Sequence, residues 1–236
     1  MSALRPHLLD STGGLGYHLG AALRRRRAWA PFRAQVARWL AGWSPGRAEL
    51  VLVGPSGGYT LPLEFLSRFR RVTVLEPDPL ARFILRRRFP TIPFHFEFLD
   101  CLALPEGPAT LARAHPHAAI LFANLLGQVA DGGDMPPLAA ALRSALAGHP
   151  WASYHDVLSA PEPPGRPVPE QVPARATADT LARALWPGRP LPITDHGTLD
   201  LVGSGDAQLA LWSLAPGAHH VVEWAHQTPP RQARGS

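Results

Sequence analysis

The chain has 236 residues, a length that fits one α/β domain with additions better than two full domains. Its single cysteine, Cys101, excludes an intrachain disulfide bond and a cysteine-based metal site. The net charge of +5 allows an acidic partner but is too modest to indicate nucleic acid. No apolar run approaches the roughly 18–20 residues of a transmembrane helix, and the N-terminus lacks a signal-peptide pattern. We therefore expect a cytoplasmic protein without a membrane partner.

The N-terminal part of the chain has a helical pattern. Apolar residues recur at three- and four-residue steps over residues 14–42, and Pro31 divides this stretch into two helices. A glycine-rich segment, residues 11–18, precedes the first helix. We expect residues 1–44 to form a helical arm or lid.

Strand and helix patterns then alternate along the chain. Short apolar runs predict five strands, at residues 49–53, 71–75, 94–99, 117–122 and 151–158. Helical patterns fall between them, at residues 60–69, 80–88, 137–147 and in a short segment that ends at 111–115. This alternation predicts an α/β fold with a doubly wound, mostly parallel sheet.

The C-terminal part changes character. Residues 160–175 are rich in proline and are expected to form a surface loop. Residues 177–185 have a helical pattern, with Thr177 as the N-cap. Residues 208–214 and 219–226 read as two strands joined by a tight turn, which makes the pair antiparallel and reverses the last strand.

These patterns predict three parts of the chain. Residues 45–227 would form the α/β domain, carrying the N-terminal arm on one side. Residues 228–236 would form a flexible tail.

Polar residues follow the predicted strands in an informative order. A glycine-rich loop, residues 54–58, follows the first strand, and Glu76, Asp100 and Asn124 end the next three. Ligands of open parallel sheets bind at the carboxyl ends of the strands. The loop allows close approach of a ligand to the backbone, and the acids can accept hydrogen bonds from ribose hydroxyls and an adenine amine. Each feature alone also fits an unliganded turn or helix cap, but together they predict a pocket for an adenosyl group.

Over roughly residues 45–226 the chain resembles the class I (Rossmann-like) methyltransferases that use S-adenosylmethionine. The segments similar to the four motifs of that family are VLVGPSGG at residues 51–58, VLEPD at 74–78, FLD at 98–100 and ILFAN at 120–124. The reversed last strand is also typical of the family. The resemblance implies S-adenosylmethionine as the cofactor, and the residues that would hold it are Gly54, Ser56, Gly58, Glu76, Asp100 and Asn124.

Two positions depart from the family pattern. Leu52 stands where the family often has an acid, and Ser56 replaces the middle glycine of the loop. These departures leave open a non-catalytic, methyltransferase-like binding protein as the alternative to an enzyme.

Three residues are candidates for the chemistry. Methyl transfer is a direct displacement, so the protein must align the acceptor and, where needed, remove its proton. Asn124 follows the fourth strand and would orient the acceptor. His155 on the fifth strand is either a base or a buried, hydrogen-bonded histidine. Tyr17 lies in the arm, which in this family often folds over the cofactor, although a flexible linker is the alternative.

The resemblance implies methyl transfer to a small molecule or a peptide. A nucleic-acid substrate is less expected, because no aromatic residue follows Asn124 to stack an extruded base. No histidine pair has the spacing of a zinc hydrolase, so no metal is expected. The loop at residues 54–58 also lacks the spacing of a dinucleotide-binding site. The oligomeric state is not readable from the sequence.

Overall fold

The structure is a computed structural model that describes residues 15–129, 135–173, 175–203 and 207–227. Its strands are β1 (Glu49–Val53), β2 (Arg71–Leu75), β3 (Phe94–Glu97), β4 (Ala119–Ala123), β5 (Trp151–Ala160), β6 (Gln171–Val172), β7 (Thr194–Asp195), β8 (Ala207–Ala215) and β9 (Ala218–Gln227). Its helices are α1 (Leu15–Arg24), α2 (Ala30–Gly42), α3 (Leu63–Leu66), α4 (Pro79–Arg88), α5 (Gly107–Ala114), α6 (Leu126–Val129), α7 (Met135–Ala145) and α8 (Ala178–Leu185). None of these helices is long and apolar enough to cross a membrane.

The strands form one sheet in the order β3-β2-β1-β4-β5-β9-β8-β6, with β7 paired to β5. Strands β1 to β5 run parallel to one another, whereas β9 is antiparallel to both β5 and β8. This arrangement confirms the predicted doubly wound, mostly parallel sheet with a reversed last strand.

Two apolar cores lie on opposite faces of the sheet, as alternation along a central strand requires. Leu50 and Leu52 of β1 belong to the core that includes α2, whereas Val51 and Val53 belong to the core that includes α7. Leu52 is therefore an interior packing residue, with none of its surface exposed. Its place in the core accounts for an apolar side chain at a position where the resembled family often has an acid.

The N-terminal arm packs on the sheet through aromatic side chains. The indole nitrogen of Trp29 donates to the Leu214 carbonyl oxygen at 2.9 Å, which joins the α1–α2 turn to β8. The ring of Phe32 stacks on Trp212 with 4.7 Å between centroids. Helices α1 and α2 therefore share the core of one sheet face.

Some predicted boundaries were wrong. The helix predicted at residues 60–69 is only the four residues of α3, because Pro62 before it is extended, with φ −83° and ψ 141°. The strand predicted at residues 94–99 ends at Glu97. The surface loop predicted at residues 160–175 contains the short strand β6, which pairs with β8. The predicted N-cap is confirmed, since the Thr177 hydroxyl accepts from the Thr180 amide at the start of α8. The tail at residues 228–236 and the glycines at positions 13 and 14 lie outside the described residues.

Candidate functional site

The loop between β1 and α3 turns tightly at the carboxyl end of the sheet. Gly54 and Gly58 have φ of +62° and +64°, a region that glycine adopts without strain. Ser56 has φ of +50°, so a residue with a Cβ also occupies this region here. A Cβ at Gly54 would lie 2.8 Å from Leu125 Cδ2, and one at Gly58 would lie 2.5 Å from Leu85 Cδ1. The glycines are thus required by the turn and by side chains of the protein itself.

Glu76 follows β2 and is held against this loop. Its Oε2 accepts a hydrogen bond from the Ser56 amide at 2.8 Å, and its Oε1 accepts from the Asp78 amide at 3.1 Å. Arg82 donates through Nε to the Glu76 carbonyl oxygen. Burial raises the pKa of Glu76, and the hydrogen bonds from Asp78 and Ser56 oppose that rise. A carboxylate oxygen has two lone-pair directions, so each can accept a further hydrogen bond from a ligand hydroxyl.

Two further oxygens lie at the neighbouring strand ends. Asn124 follows β4 with φ of +56°, and its backbone N–H donates to the Tyr154 carbonyl oxygen at 2.9 Å. Asn124 Oδ1 and Asp100 Oδ1 are both buried and have no hydrogen-bond partner among the described residues. Buried polar atoms without partners cost free energy, so these acceptors suit a ligand that brings hydrogen-bond donors.

The four predicted positions therefore follow four adjacent strands, with Asp100 three residues beyond the end of β3. Because β3, β2, β1 and β4 are neighbours in the sheet, Asp100, Glu76, Gly54 and Asn124 follow them at one edge. Parallel register pairs Val53 of β1 with Leu75 of β2 and with Phe122 of β4, so these two neighbouring strands end level with β1.

Comparison with known proteins gave matches among solved structures alone. No family model matches the chain, and no curated protein matches its sequence. It is similar to a complex of DhpI with SAH, at 17% identity over 91% of this chain and 98% of that chain, with a TM-score of 0.40. It is also similar to a SAM-dependent methyltransferase from Anabaena variabilis, at 16% identity over 98% and 99% of the two chains, with a TM-score of 0.44. The N-methyltransferase NodS from Bradyrhizobium japonicum is 13% identical over 85% and 96%, with a TM-score of 0.46.

The order and direction of the strands identify the fold. Its parallel strands carry a glycine-rich loop after β1 and an acid after β2, and its last strand is reversed. It is a Rossmann-like fold, similar to that of the class I methyltransferases. In this methyltransferase fold, the predicted first motif is the tight loop after β1, and the predicted second motif places Glu76 beside it.

Helix α1 carries Tyr17 and His18 to this region, so these two residues do not belong to a flexible linker. The Tyr17 ring lies 5.9 Å from the ring of Tyr59, which follows the glycine loop. His18 contacts the Tyr59 hydroxyl through Nδ1 at 2.9 Å and Asp78 Oδ2 through Nε2 at 3.4 Å. Burial raises the pKa of Tyr17, and the neighbouring Tyr154, Tyr59, Asp156 and Glu76 raise it further. The Tyr17 hydroxyl therefore stays protonated at neutral pH and can donate a hydrogen bond, but it is not a base.

His155 is fully buried and lies in a hydrogen-bonded network. Its Nε2 is 3.2 Å from the Thr198 carbonyl oxygen and 3.6 Å from Glu223 Oε2, and its Nδ1 is 2.9 Å from the Ser153 hydroxyl. A carbonyl oxygen only accepts, so Nε2 donates to Thr198. Of the two interpretations of His155, the geometry matches the buried, hydrogen-bonded one, because both ring nitrogens are occupied.

Sequence reasoning missed a pair formed by Asp156 and His220. His220 Nδ1 lies 3.2 Å from Asp156 Oδ2, and Asp156 is 2% exposed. Burial lowers the pKa of His220, but the nearby Asp156 carboxylate raises it more, and the net shift is upward. Asp156 and His155 point to opposite faces of the sheet, because side chains alternate along β5. The pairing register between β5 and β9 brings His220 close to Asp156.

Other polar groups noted in the sequence have structural roles or lie apart. The Gly197 amide donates to Asp195 Oδ1 at 2.8 Å, and the Thr198 hydroxyl donates to the Asp156 carbonyl oxygen at 2.6 Å. Burial raises the pKa of the Cys101 thiol to about 12, so this cysteine is not a thiolate at neutral pH. Within the described ranges, no group of three or more His, Cys, Asp or Glu side chains is placed to hold a metal ion.

Proposed function

We propose that the protein is an S-adenosylmethionine-dependent methyltransferase acting on a small molecule or a peptide. The observation that carries this proposal is the Glu76 carboxylate, which the Ser56 and Asp78 amides fix beside the tight loop after β1. The buried, unpartnered oxygens of Asp100 and Asn124 at the adjacent strand ends support it, because they match a ligand rich in donors.

The residues of this edge divide the recognition of the cofactor among them. Glu76 would accept from the ribose hydroxyls, and Asp100 would accept from the adenine amine. The glycine-rich loop and the Asn124 side chain would contact the methionine end. When bound, the cofactor supplies a methyl group on a sulfonium, and that group is transferred by direct displacement.

Other residues of the chain would handle the acceptor. Asn124 and the protonated Tyr17 hydroxyl would orient it by hydrogen bonds. His220, held by Asp156, would receive the proton of the methyl acceptor at Nε2, since Nδ1 faces the Asp156 carboxylate. His155 has no part in this mechanism, because its nitrogens are already engaged.

The non-catalytic alternative is not favoured. Ser56 occupies the left-handed conformation itself and supplies its amide to Glu76, so the loop functions without a glycine there. Leu52 is a core residue whose side chain packs with other buried apolar groups. Neither departure from the family pattern removes the cradle around Glu76.

The proposal extends to the setting of the protein. We infer that residues 1–44 form an arm that covers the domain at residues 45–227, since His18 and Tyr17 contact Tyr59. A cytoplasmic location and the absence of a nucleic-acid partner are part of the same proposal. The buried, free Cys101 is consistent with a reducing compartment.

A labelling experiment tests the proposed function. The protein is incubated with S-adenosylmethionine carrying an isotopically labelled methyl group, together with a small-molecule and peptide extract, and products are identified by mass spectrometry. We expect label in at least one product with the wild type and none with Glu76→Ala. If the wild type binds the cofactor but transfers no label to either fraction, the non-catalytic alternative is correct.

A further inference from the structure

A cleft between α1 and α4 lies beside the proposed cofactor cradle and is lined in part by His18 and Tyr59. Its volume is about 300 Å³, at the lower end of the range for small-molecule sites. Leu19, Leu80 and Ile84 form its apolar wall, and Arg25 and Arg88 bring two guanidinium groups to it. An apolar wall with a few convergent polar groups is typical of a ligand pocket.

The two guanidinium groups have unused donors. Arg88 donates through Nη2 to the Gly58 carbonyl oxygen at 3.3 Å, but its Nε and Nη1 are buried without a hydrogen-bond partner. Arg25 Nε is also buried without a partner. Within the described part of the chain, neither side chain forms an ion pair with a carboxylate. Buried N–H donors of this kind are costly unless a ligand satisfies them.

A third arginine adds positive charge beside Arg88, whose guanidinium group lies over the Tyr59 ring at 4.9 Å and has no acidic partner among the described residues. Arg88 also lines a neighbouring cleft of about 490 Å³, and Arg33 of α2 lies there with a buried, unpartnered Nε. Burial lowers the pKa of Arg33, and the nearby charge of Arg25 lowers it further. Cations that repel one another without acidic partners attract an anion.

The charge and the wall together define the ligand. Guanidinium groups pair well with carboxylates, and a single carboxylate costs less to bring into an apolar cleft than a phosphate dianion. We propose that the cleft between α1 and α4 binds an apolar carboxylic acid, with the carboxylate at Arg25 and Arg88 and the hydrocarbon part against Leu19, Leu80 and Ile84. This site does not depend on the proposed methyl transfer, and its test requires no cofactor.

Calorimetric titration with octanoate tests the site. Octanol has the same chain without the charge, and inorganic phosphate has charge without the chain. We expect one octanoate to bind per chain, and octanol and phosphate to bind at least about tenfold more weakly, since a charged hydrogen bond and the apolar contacts each contribute. Absence of octanoate binding, or equal binding of octanol or phosphate, overturns the proposal.

Matched variants locate the octanoate. Arg25→Gln removes a guanidinium group whose Nε is buried without a hydrogen-bond partner, and we expect it to weaken octanoate binding about tenfold. Arg26→Gln removes the same charge from the next, exposed position and should leave binding unchanged. Equal weakening by both variants would mean that only the overall charge matters, which contradicts the site.

Discussion

Gly58 combines two constraints at a single residue. Its φ of +64° disfavours any side chain, and a Cβ there would also meet Leu85 Cδ1 at 2.5 Å and Phe89 Cε2 at 2.9 Å. Gly46 has nearly the same φ, +65°, but nothing lies within 4 Å of its Cβ position. The two glycines therefore separate backbone strain from crowding.

Alanine substitutions at these glycines test that separation. We expect Gly46→Ala to lower the free energy of unfolding by about 1 kcal/mol, from the backbone conformation alone. Gly58→Ala should lower it by about 2–4 kcal/mol, because overpacking adds to the same strain. Urea denaturation of both variants measures the difference, and equal losses would show that the contacts with Leu85 and Phe89 relax without cost.

The pair of His220 and Asp156 predicts a pH dependence. The pKa of His220 is raised in the folded protein, so its contribution to stability is fully present below the unfolded pKa of about 6.5 and is lost as the pH rises through the folded value. Without the Asp156 charge, burial alone would lower the pKa.

Titration of the histidine ring signals by NMR tests this pair. We expect the pKa of His220 to lie above about 6.5 in the wild type and below it in Asp156→Asn. The His220→Gln variant assigns the signal and should lose more stability at pH 5 than at pH 9. An unchanged His220 pKa in Asp156→Asn would contradict the pairing.

At the residue scale, the sequence predicted which residues follow the strands better than it predicted their side-chain contacts. The strand-end positions of Glu76, Asp100 and Asn124 follow from local patterns, because each comes directly after an apolar run or within a few residues of it. The contact of His220 with Asp156 depends on the register of two strands that are more than fifty residues apart, which no local pattern encodes. The arginine cleft was equally hidden, since it requires the packing of α1 on α4.

At the scale of elements, one arginine joins α2 to the segment after α3. Arg68 donates through Nη1 to the Leu40 carbonyl oxygen at 2.9 Å and through Nη2 to the Trp43 carbonyl oxygen at 2.7 Å. These carbonyls lie at the C-terminal end of α2, where a helix leaves acceptors unsatisfied and a cation is favourable.

Replacement of this arginine tests its contribution to the docking of α2. We expect Arg68→Met to lower the free energy of unfolding by about 1 kcal/mol, since the charged donors are partly exposed to water. The control Arg70→Met changes an exposed arginine two residues away whose side chain makes no such bonds. Thermal and urea unfolding of both variants measure the effect, and a loss no larger in Arg68→Met than in Arg70→Met would contradict it.

Element bounds were predictable where burial fixed them. The predicted bounds of β1 and β2 match the structure because four consecutive residues of each are buried and most of these are apolar. The helix at α3 was overestimated because the hydrogen bond from the Leu61 amide to the Gly58 carbonyl oxygen continues the loop, which delays the helix start. Such turn geometry depends on the loop conformation more than on the apolar period.

At the scale of the whole molecule, the arm and the sheet share one core. Trp29, Phe32, Val36 and Leu40 are buried together with Leu50 and Leu52 of β1. The topology of the sheet could be predicted from the alternation of strands and helices. This docking of the arm could not be predicted, because an amphipathic pattern does not indicate which surface the helix covers.

The shared core predicts cooperative unfolding of the arm with the domain. We expect amide hydrogen exchange in α2 to report the same unfolding free energy as exchange in β8, because Trp29 and Phe32 join the two elements. Exchange in α2 through a separate, lower-energy opening would show that the arm is an independent lid.

The proposed function depends on the cofactor cradle around Glu76. The most direct test of that cradle is the binding of S-adenosylhomocysteine, which has no methyl group to transfer. Calorimetric titration compares the wild type with Glu76→Ala and with Glu64→Ala, an exposed acid on α3, after circular dichroism has shown that all three are folded. We predict one ligand per chain for the wild type and Glu64→Ala, and at least about tenfold weaker binding for Glu76→Ala, since its carboxylate would accept from the ribose hydroxyls. Absence of binding to the wild type, or equal binding by Glu76→Ala, would contradict the account.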